Sequence, residues 1–254
     1  VRRAPHDVDV VGTDARESPA DRDRLEVEKR RGARHGLSHE SRRTSRGLFG
    51  DRVAVEDAPG EGGFSGAWVE NSDVVIDFSV AEAVVSNIKN AIAAGLPIVE
   101  GTTGWNQQLE TVGRIVEDGK GACVYSSNYS MGVLALFHLT RQAGKLLSRW
   151  EDYRPFIHEA HHDQKVDAPS GTALSLKGIL QESYNSEVPT SSTRAGSIPG
   201  NHVVGFDSPF DTLTLEHQAR SREGFSRGAL FAAEWVQGKS GFHNFEDVLF
   251  GDDQ

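Results

Sequence analysis

Residues 73–79 read DVVIDFS, a run of apolar side chains that ends in polar and small ones. A short apolar run bounded in this way is typical of a strand buried in a parallel sheet. The following residues, 81–94, predict a helix that stops at Gly95. The same order repeats along the chain, with strands at 97–100 and 122–125 and helices at 107–117 and 131–147. Alternating strands and helices predict parallel strands joined by right-handed crossovers, an α/β Rossmann-like domain.

The ends of these three strands carry small polar side chains, DFS at 77–79, GTTG at 101–104 and SSNY at 126–129. In parallel sheets, ligands bind beyond the carboxyl ends of the strands. Three polar strand ends in succession therefore predict a cofactor crevice.

The second half of the chain predicts a different layer. Helices are expected at 173–183 and 224–236, strands at 203–206 and 212–217, and a loop at 185–201. This pattern indicates an α+β arrangement in which helices pack on a sheet.

Composition bounds the function. The 254 residues suffice for one large domain or two ordinary ones, and the net charge of −10 argues against nucleic acid as the main partner. Cys123 is the only cysteine, which excludes an intrachain disulfide and a cysteine-rich zinc site and favours a reducing cytoplasm. No apolar run approaches the ~20 residues of a membrane helix, so no membrane association is expected. Residues 14–46 are rich in charge and poor in large apolar side chains, and are expected to be disordered.

The chemistry is concentrated in residues 158–174, HEAHHDQKVDAPSGTAL. Histidine can donate or accept a proton near neutral pH, and Lys165 adds a positive charge and hydrogen-bond donors. Residues 170–172, SGT, predict a helix start with a Ser or Thr cap, whose N–H groups suit a carboxylate or phosphate. The segment therefore predicts a site for an anionic substrate that undergoes proton transfer.

The same segment supports an alternative. HEAHH at 158–162 matches the H-E-x-x-H pattern of zinc peptidases, with His158 and His162 as ligands and Glu159 as base. That chemistry requires a helix, whereas the preceding residues, with Pro155 among them, also fit a short strand that runs into a loop.

These residues resemble the dihydrodipicolinate reductase family of lysine and diaminopimelate synthesis. The resemblance rests on EAHH at 159–162, Lys165 and DAPSGTA at 167–173. Further similar motifs are VIDFS at 75–79, GTTGW at 101–105, NYSMGV at 128–133, RAG at 194–196, GNH at 200–202, and GK, GF and DVL between 238 and 249. The resemblance covers roughly residues 72–249.

The resemblance implies NADPH- or NADH-dependent reduction of 4-hydroxy-tetrahydrodipicolinate to tetrahydrodipicolinate, a cyclic dicarboxylate substrate, and a homotetramer, with no metal. It implies a dinucleotide-binding domain at 1–130, to which 239–254 return, and a substrate-binding and tetramerisation domain at 131–238. His161 is implied as proton donor and acceptor, Lys165 as second proton donor, and His162, Gly171 and Thr172 as substrate ligands. The implied cofactor-binding residues are Gly101, Thr102, Thr103, Ser126, Ser127, Asn128 and Tyr129.

The first 70 residues depart from the family pattern. The family begins with a strand and a Gly-rich phosphate-binding turn, and no such turn is present. Residues 8–15 resemble the family's second strand, so Asp14 is expected to bond the adenosine ribose and Arg16 a 2′-phosphate. A fragment or mis-started reading frame, a divergent homologue that binds cofactor poorly, or a sequence error in these residues each accounts for this departure. An alternative function is that of an inactive homologue that keeps the dicarboxylate site and has lost turnover.

Because the Gly-rich turn brings backbone N–H groups to the pyrophosphate, a chain without it is expected to bind NADPH or NADH weakly. A fluorescence titration of reduced cofactor checks this expectation. Tight binding, in the low micromolar range, would contradict it.

Overall fold

The computed structural model describes residues 72–251 together with two short strands, β1 (Thr44–Arg46) and β2 (Arg52–Ala54). These two strands pair antiparallel. Thr44–Arg46 fall at the end of the segment 14–46 that is expected to be disordered, and the rest of that segment lies outside the described residues. The expected roles of Asp14 and Arg16 and the strand at residues 8–11 lie outside the described residues.

The described residues form two compact units, 72–127 with Ala229–Val248, and Asn128–Gly228 with 249–251. The boundaries expected from the sequence lay at 130/131 and 238/239, so Ala229 begins the return to the first unit earlier than expected. No helix in these described residues is long and apolar enough to cross a bilayer.

The first unit contains a four-stranded parallel sheet in the order β10-β5-β4-β3. Its elements in chain order are β3 (Val75–Asp77), α1 (Val84–Ala93), β4 (Ile98–Glu100), a 3-10 turn (Asn106–Gln108), α2 (Leu109–Asp118) and β5 (Ala122–Tyr125). The predicted parallel α/β architecture is confirmed. Near its C-terminal end the chain returns to this sheet and adds β10 (Gly241–Asn244) beside β5.

The core of this unit lies between the sheet and its helices. Val75, Ile98 and Cys123 from the three predicted strands pack with Val84, Ile88 and Val112 from α1 and α2, and all six are buried. The alternation of strand and helix thus buries both kinds of apolar surface against each other.

The second unit contains a mixed sheet in the order β7-β6-β8-β9. Its elements are α3 (Met131–Leu147), β6 (Arg154–His161), α4 (Gly171–Gln181), β7 (Thr190–Arg194), β8 (Asn201–Asp207) and β9 (Thr212–Gln218). They are followed by α5 (Glu223–Val236), which continues into the first unit, and after β10 by α6 (Phe245–Phe250), which begins in the first unit and ends in the second. β6 pairs parallel with β7 and antiparallel with β8. α4 packs on β6 and β8, and α3 packs on α4 and β9.

The structure corrects one part of the sequence prediction here, because β7 lies inside the segment expected to be a loop. Its sequence, TSSTR, is polar throughout and mostly exposed. An edge strand of this kind is held by backbone hydrogen bonds to β6 and needs no buried face, so hydrophobic alternation does not reveal it.

Candidate functional site

The site of the second unit is built where β6 ends and α4 begins. β6 buries alternate side chains, so Glu159 and His161 point to the same, covered face of the sheet. Ser170 caps α4, since its Oγ accepts a hydrogen bond from the Ala173 N–H at 3.2 Å. The predicted helix start with a serine cap is confirmed. The N–H groups of Gly171 and Thr172 come before the first intrahelical bond, from Leu174 N to Ser170 O, and belong to the turn that can bind an anion.

His161 is 8% exposed at the end of β6. Its Nδ1 lies 3.4 Å from Glu159 Oε2. Burial lowers the pKa of His161, and the Glu159 charge opposes that effect. The imidazole is therefore mostly neutral at pH 7 and gains a proton more readily when negative charge arrives beside it.

Lys165 lies in the loop after β6, where its Nζ is 2.8 and 3.0 Å from the two carboxylate oxygens of Asp167. This ion pair lowers the pKa of Asp167. The ammonium side chain is 24% exposed, so it is accessible to a ligand. His162 is half-buried in the same loop and Gly171 is exposed, so the sequence-predicted catalytic and substrate residues lie on one connected segment.

Three residues of this site were not assigned a role in it from the sequence. They are Arg194 at the end of β7, His202 on β8 and Glu159 on β6. Glu159 was named above only as the base of a zinc site. Arg194 Nη2 donates to Glu159 Oε1 at 2.8 Å and to the Asp167 carbonyl at 2.6 Å, and so ties the loop to the sheet. His202 is 4% exposed, and burial together with the neighbouring His161 lowers its pKa to about 4. The sequence signal for them was that they lie in motifs of the family resemblance, EAHH at 159–162, RAG at 194–196 and GNH at 200–202, which assigned them no role at the site.

The zinc-peptidase alternative is wrong for this segment. Residues 154–161 form a strand, in which residues four apart are separated by about 13 Å, so His158 and His162 do not share a helix face. His158 Nδ1 instead lies 3.0 Å from Ser191 Oγ.

A different set of donors, Glu159, His161 and His202, places its ligand atoms within 4.8 Å of one another and could hold a cation by distance. The guanidinium of Arg194 already neutralises this carboxylate at 2.8 Å, and the positive charge of Lys165 acts on both imidazoles. A divalent cation would meet two existing positive charges there, so the arrangement suits proton transfer better than metal binding.

The first unit presents the predicted cofactor-binding residues at one sheet edge. Residues 101–103 follow β4 and residues 126–127 follow β5, and these two strands are parallel neighbours. Thr103 and Ser127 are exposed, whereas Thr102 and Ser126 are buried. Asn128 and Tyr129 belong to the second unit, and the Tyr129 side chain is 1% exposed.

The turn after β4 is rigidly held. A Cβ on Gly101 would lie 2.1 Å from the Phe78 ring, so any larger residue there would displace that ring, and the Thr102 N–H donates to Glu100 Oε1 at 2.7 Å. Burial and the nearby Asp77 raise the pKa of Glu100 to about 9. A neutral Glu100 removes one negative charge from an edge that would receive an anionic dinucleotide, so these residues fit such a cofactor.

Replacing Gly200 with alanine is expected to lower kcat at least tenfold, about 1.4 kcal/mol of barrier. Gly200 has φ +148°, and a Cβ there would lie 3.2 Å from His161 Nε2. The substitution would thus strain the backbone and displace the imidazole. Steady-state kinetics checks this, with Gly196→Ala as the control, because its φ of +52° is also positive, although in the left-handed region that L residues adopt more readily, and its Cβ would meet nothing within 4 Å. Equal losses in the two variants would contradict the explanation by crowding.

Comparisons with known proteins agree with this arrangement. The family model described as dihydrodipicolinate reductase, N-terminus, matches residues 56–129, and the one described as dihydrodipicolinate reductase, C-terminus, matches residues 132–249. The 4-hydroxy-tetrahydrodipicolinate reductase of Christiangramia forsetii is 38% identical over 189 residues, which are 70% of this chain and 79% of that protein. The enzyme of the same name from Methanospirillum hungatei is 42% identical over 194 residues, 70% of this chain and 75% of that protein.

The fold is also that of a solved structure. The dipicolinate-bound dihydrodipicolinate reductase from Paenisporosarcina sp. TG-14 superposes with a TM-score of 0.67 at 18% identity, and the match covers 96% of this chain and 100% of that one. Two family models cover most of the chain and the relatives exceed 30% identity. The chain belongs to the dihydrodipicolinate reductase family, a family of pyridine-nucleotide-dependent oxidoreductases.

Proposed function

We propose that the chain reduces 4-hydroxy-tetrahydrodipicolinate to tetrahydrodipicolinate with NADPH or NADH, in lysine and diaminopimelate biosynthesis. The observation that carries this proposal is the convergence of a buried imidazole, a lysine ammonium and a helix N-terminus on the connection between β6 and α4. The Christiangramia and Methanospirillum relatives are named for this activity, and the similar Paenisporosarcina reductase has dipicolinate bound.

The substrate is a dianion, and the site has groups to bind both charges. The N–H groups of Gly171 and Thr172 stand at the positive end of α4, where a carboxylate is favoured. Lys165 binds the carboxylate of Asp167, which is 59% exposed, and a substrate carboxylate can replace that partner at little cost. We assign His162, half-buried beside them, to substrate contact as well.

The reaction consumes one hydride and one proton and releases the 4-hydroxyl group as water. A bound reduced pyridine nucleotide supplies the hydride. The protein supplies the proton and stabilises the charge that develops on the substrate, and these are the roles that we assign to His161 and Lys165. His161 lies at a strand end and is 8% exposed, so its geometry is fixed by the sheet rather than by the loop that follows.

The cofactor residues are assigned by their place at the ends of β4 and β5. We propose that residues 101–103 and 126–129 line the nicotinamide half, because strand ends of a parallel sheet are where such ligands bind. The choice between NADPH and NADH depends on residues after the second strand of the family's first domain, where Asp14 is the proposed ribose ligand.

The test measures oxidation of the reduced cofactor, as a change in its absorbance, after freshly generated substrate is added. It compares this chain with one in which an intact Gly-rich N-terminal turn has been restored. Oxidation of cofactor that depends on substrate, in either chain, supports the proposal. Binding of dipicolinate without any oxidation of cofactor, even in the restored chain, would show instead a homologue that keeps the dicarboxylate site and has lost turnover.

A further inference from the structure

Glu159 is a fully buried anion at the meeting point of β6, β7 and the start of α4. Its Oε1 accepts three hydrogen bonds, from Ser170 N at 3.0 Å, Ser192 Oγ at 2.7 Å and Arg194 Nη2 at 2.8 Å. Burial alone would raise the pKa of Glu159, but these hydrogen bonds outweigh it and lower the pKa to about 2. The carboxylate is therefore charged at neutral pH and held in one orientation.

This orientation leaves Oε2 facing two imidazoles. Oε2 lies 3.4 Å from His161 Nδ1 and 3.7 Å from His202 Nε2. His202 Nε2 has a closer contact, with Ser170 Oγ at 3.2 Å. Among the described residues, neither Glu159 Oε2 nor His161 Nδ1 has a hydrogen-bond partner within ordinary limits, so each is the group best placed to satisfy the other.

We propose that Glu159 is a positioning residue, whose Oε2 accepts the Nδ1 hydrogen of His161 and leaves Nε2 as the nitrogen that transfers the proton. This inference rests on the proposed function. When His161 acts as acid, the Nε2–H bond breaks and the proton passes to the substrate, while the ring keeps its Nδ1 hydrogen on Glu159 and becomes neutral. The distance of 3.4 Å is longer than a formed hydrogen bond, as catalytic hydrogen bonds often are before substrate is bound.

The position of the other ring nitrogen agrees with this assignment. His161 Nε2 lies beside Gly200, where an added Cβ would come within 3.2 Å of it. The glycine therefore avoids crowding at Nε2, while Glu159 on β6 faces the opposite nitrogen, Nδ1.

The charged groups around His161 come from every element that packs on it. Lys165 and His162 in the following loop and Arg194 on β7 disfavour its protonated form, and Glu159 favours it. The His202 ring on β8 packs against the His161 ring, with 5.0 Å between the ring centroids. Neutralising Glu159 therefore lowers the pKa of His161 further, so a smaller fraction of the ring is protonated at a given pH. The ring also loses the group that orients it.

The experiment is Glu159→Gln in the full chain with the restored Gly-rich turn. We expect kcat to fall on the order of 10²-fold, as when an orienting partner is lost, with KM changed less than about threefold. The alkaline limb of the kcat/KM profile should move to lower pH, and Glu159→Asp should recover part of kcat because it keeps the charge. His158→Gln is the matched control, since His158 lies one residue away on the opposite face of β6.

Two results would overturn the inference and leave the reductase proposal in place. One is a Glu159→Gln enzyme with the kcat and the pH profile of the wild type. The other is a stoichiometric metal that the wild-type protein contains and this variant lacks. Because the variant removes the negative charge that faces the half-buried Arg194 and can fail to fold, a second measurement uses the wild type. Long-range ¹H–¹⁵N spectra of histidine-labelled protein, assigned with His161→Gln, should show the Nδ1–H tautomer for neutral His161. The Nε2–H tautomer would overturn the inference, whereas absence of substrate-dependent cofactor oxidation in both parent chains, with and without the Gly-rich turn, would count against the proposed function alone.

Discussion

Lys165→Met is expected to lower kcat by on the order of 10²–10⁴-fold, the range for loss of a positioned proton donor or acceptor. The substitution keeps the length of the side chain and removes the ammonium that faces Asp167 at 2.8 Å. It also removes a positive charge that binds the dianionic substrate, so KM should rise as well. The fold should persist, because the lost ion pair is partly exposed and such pairs contribute little to the free energy of unfolding. Steady-state kinetics and thermal unfolding measure the two effects separately.

Two further variants sharpen this test. Lys165→Arg keeps the charge but not a transferable proton, so it should recover KM more than kcat. Lys177→Met on α4 is the control, because Lys177 forms a similarly placed, partly exposed ion pair with Glu187 away from the site. A Lys165→Met enzyme with the kcat of the wild type would exclude Lys165 as proton donor.

His161→Gln is expected to have an effect of similar size on kcat, about 10²–10⁴-fold, because it removes the titrating ring. The substitution should also remove the part of the pH dependence of kcat/KM that comes from this ring. Burial lowers the pKa of His161 below the ordinary value of 6.5, so in free enzyme the protonated acid is populated only at pH below that value. If His161 must be protonated, kcat/KM of the wild type falls as pH rises through this lowered pKa. In kcat, which reports the substrate complex, the limb should lie at higher pH, because a dianion beside the ring favours imidazolium.

The measurement is a pair of pH profiles, for His161→Gln and for wild type. The control is His158→Gln, which should keep both the rate and the profile, whereas a zinc site built on His158 would lose activity with that change. A histidine-dependent limb that persists in His161→Gln would assign the acid to another group.

The parallel sheet and the polar residues at the ends of its strands could be predicted because the information is local. Apolar runs of strand length, followed by helical periodicity, recur from residue 73 to residue 147, and β5 and α3 have the predicted bounds. β7 could not be predicted in this way. Its side chains are polar and its stabilisation comes from pairing with β6, which is distant in sequence.

The residues of the candidate site fall into the same two groups, those that stand on one local segment and those that only the fold brings together. His161, Lys165, Gly171 and Thr172 stand on one short segment whose residue types already carry proton-transfer and anion-binding chemistry. The literal H-E-x-x-H match failed because its meaning depends on whether residues 158–162 form a helix or a strand. Arg194 and His202 come from strands that follow later, and only the sheet brings them to Glu159.

The sequence by itself determined the class of fold, the family and the segment on which the chemistry stands, since these depend on residue types and on spacing along the chain. Only the tertiary structure decided the surroundings of Glu159. A carboxylate acts as a metal-site base, a structural anion or an orienting partner according to which donors reach each of its oxygens, and the donors that hold Oε1 lie 11 to 35 residues away along the chain.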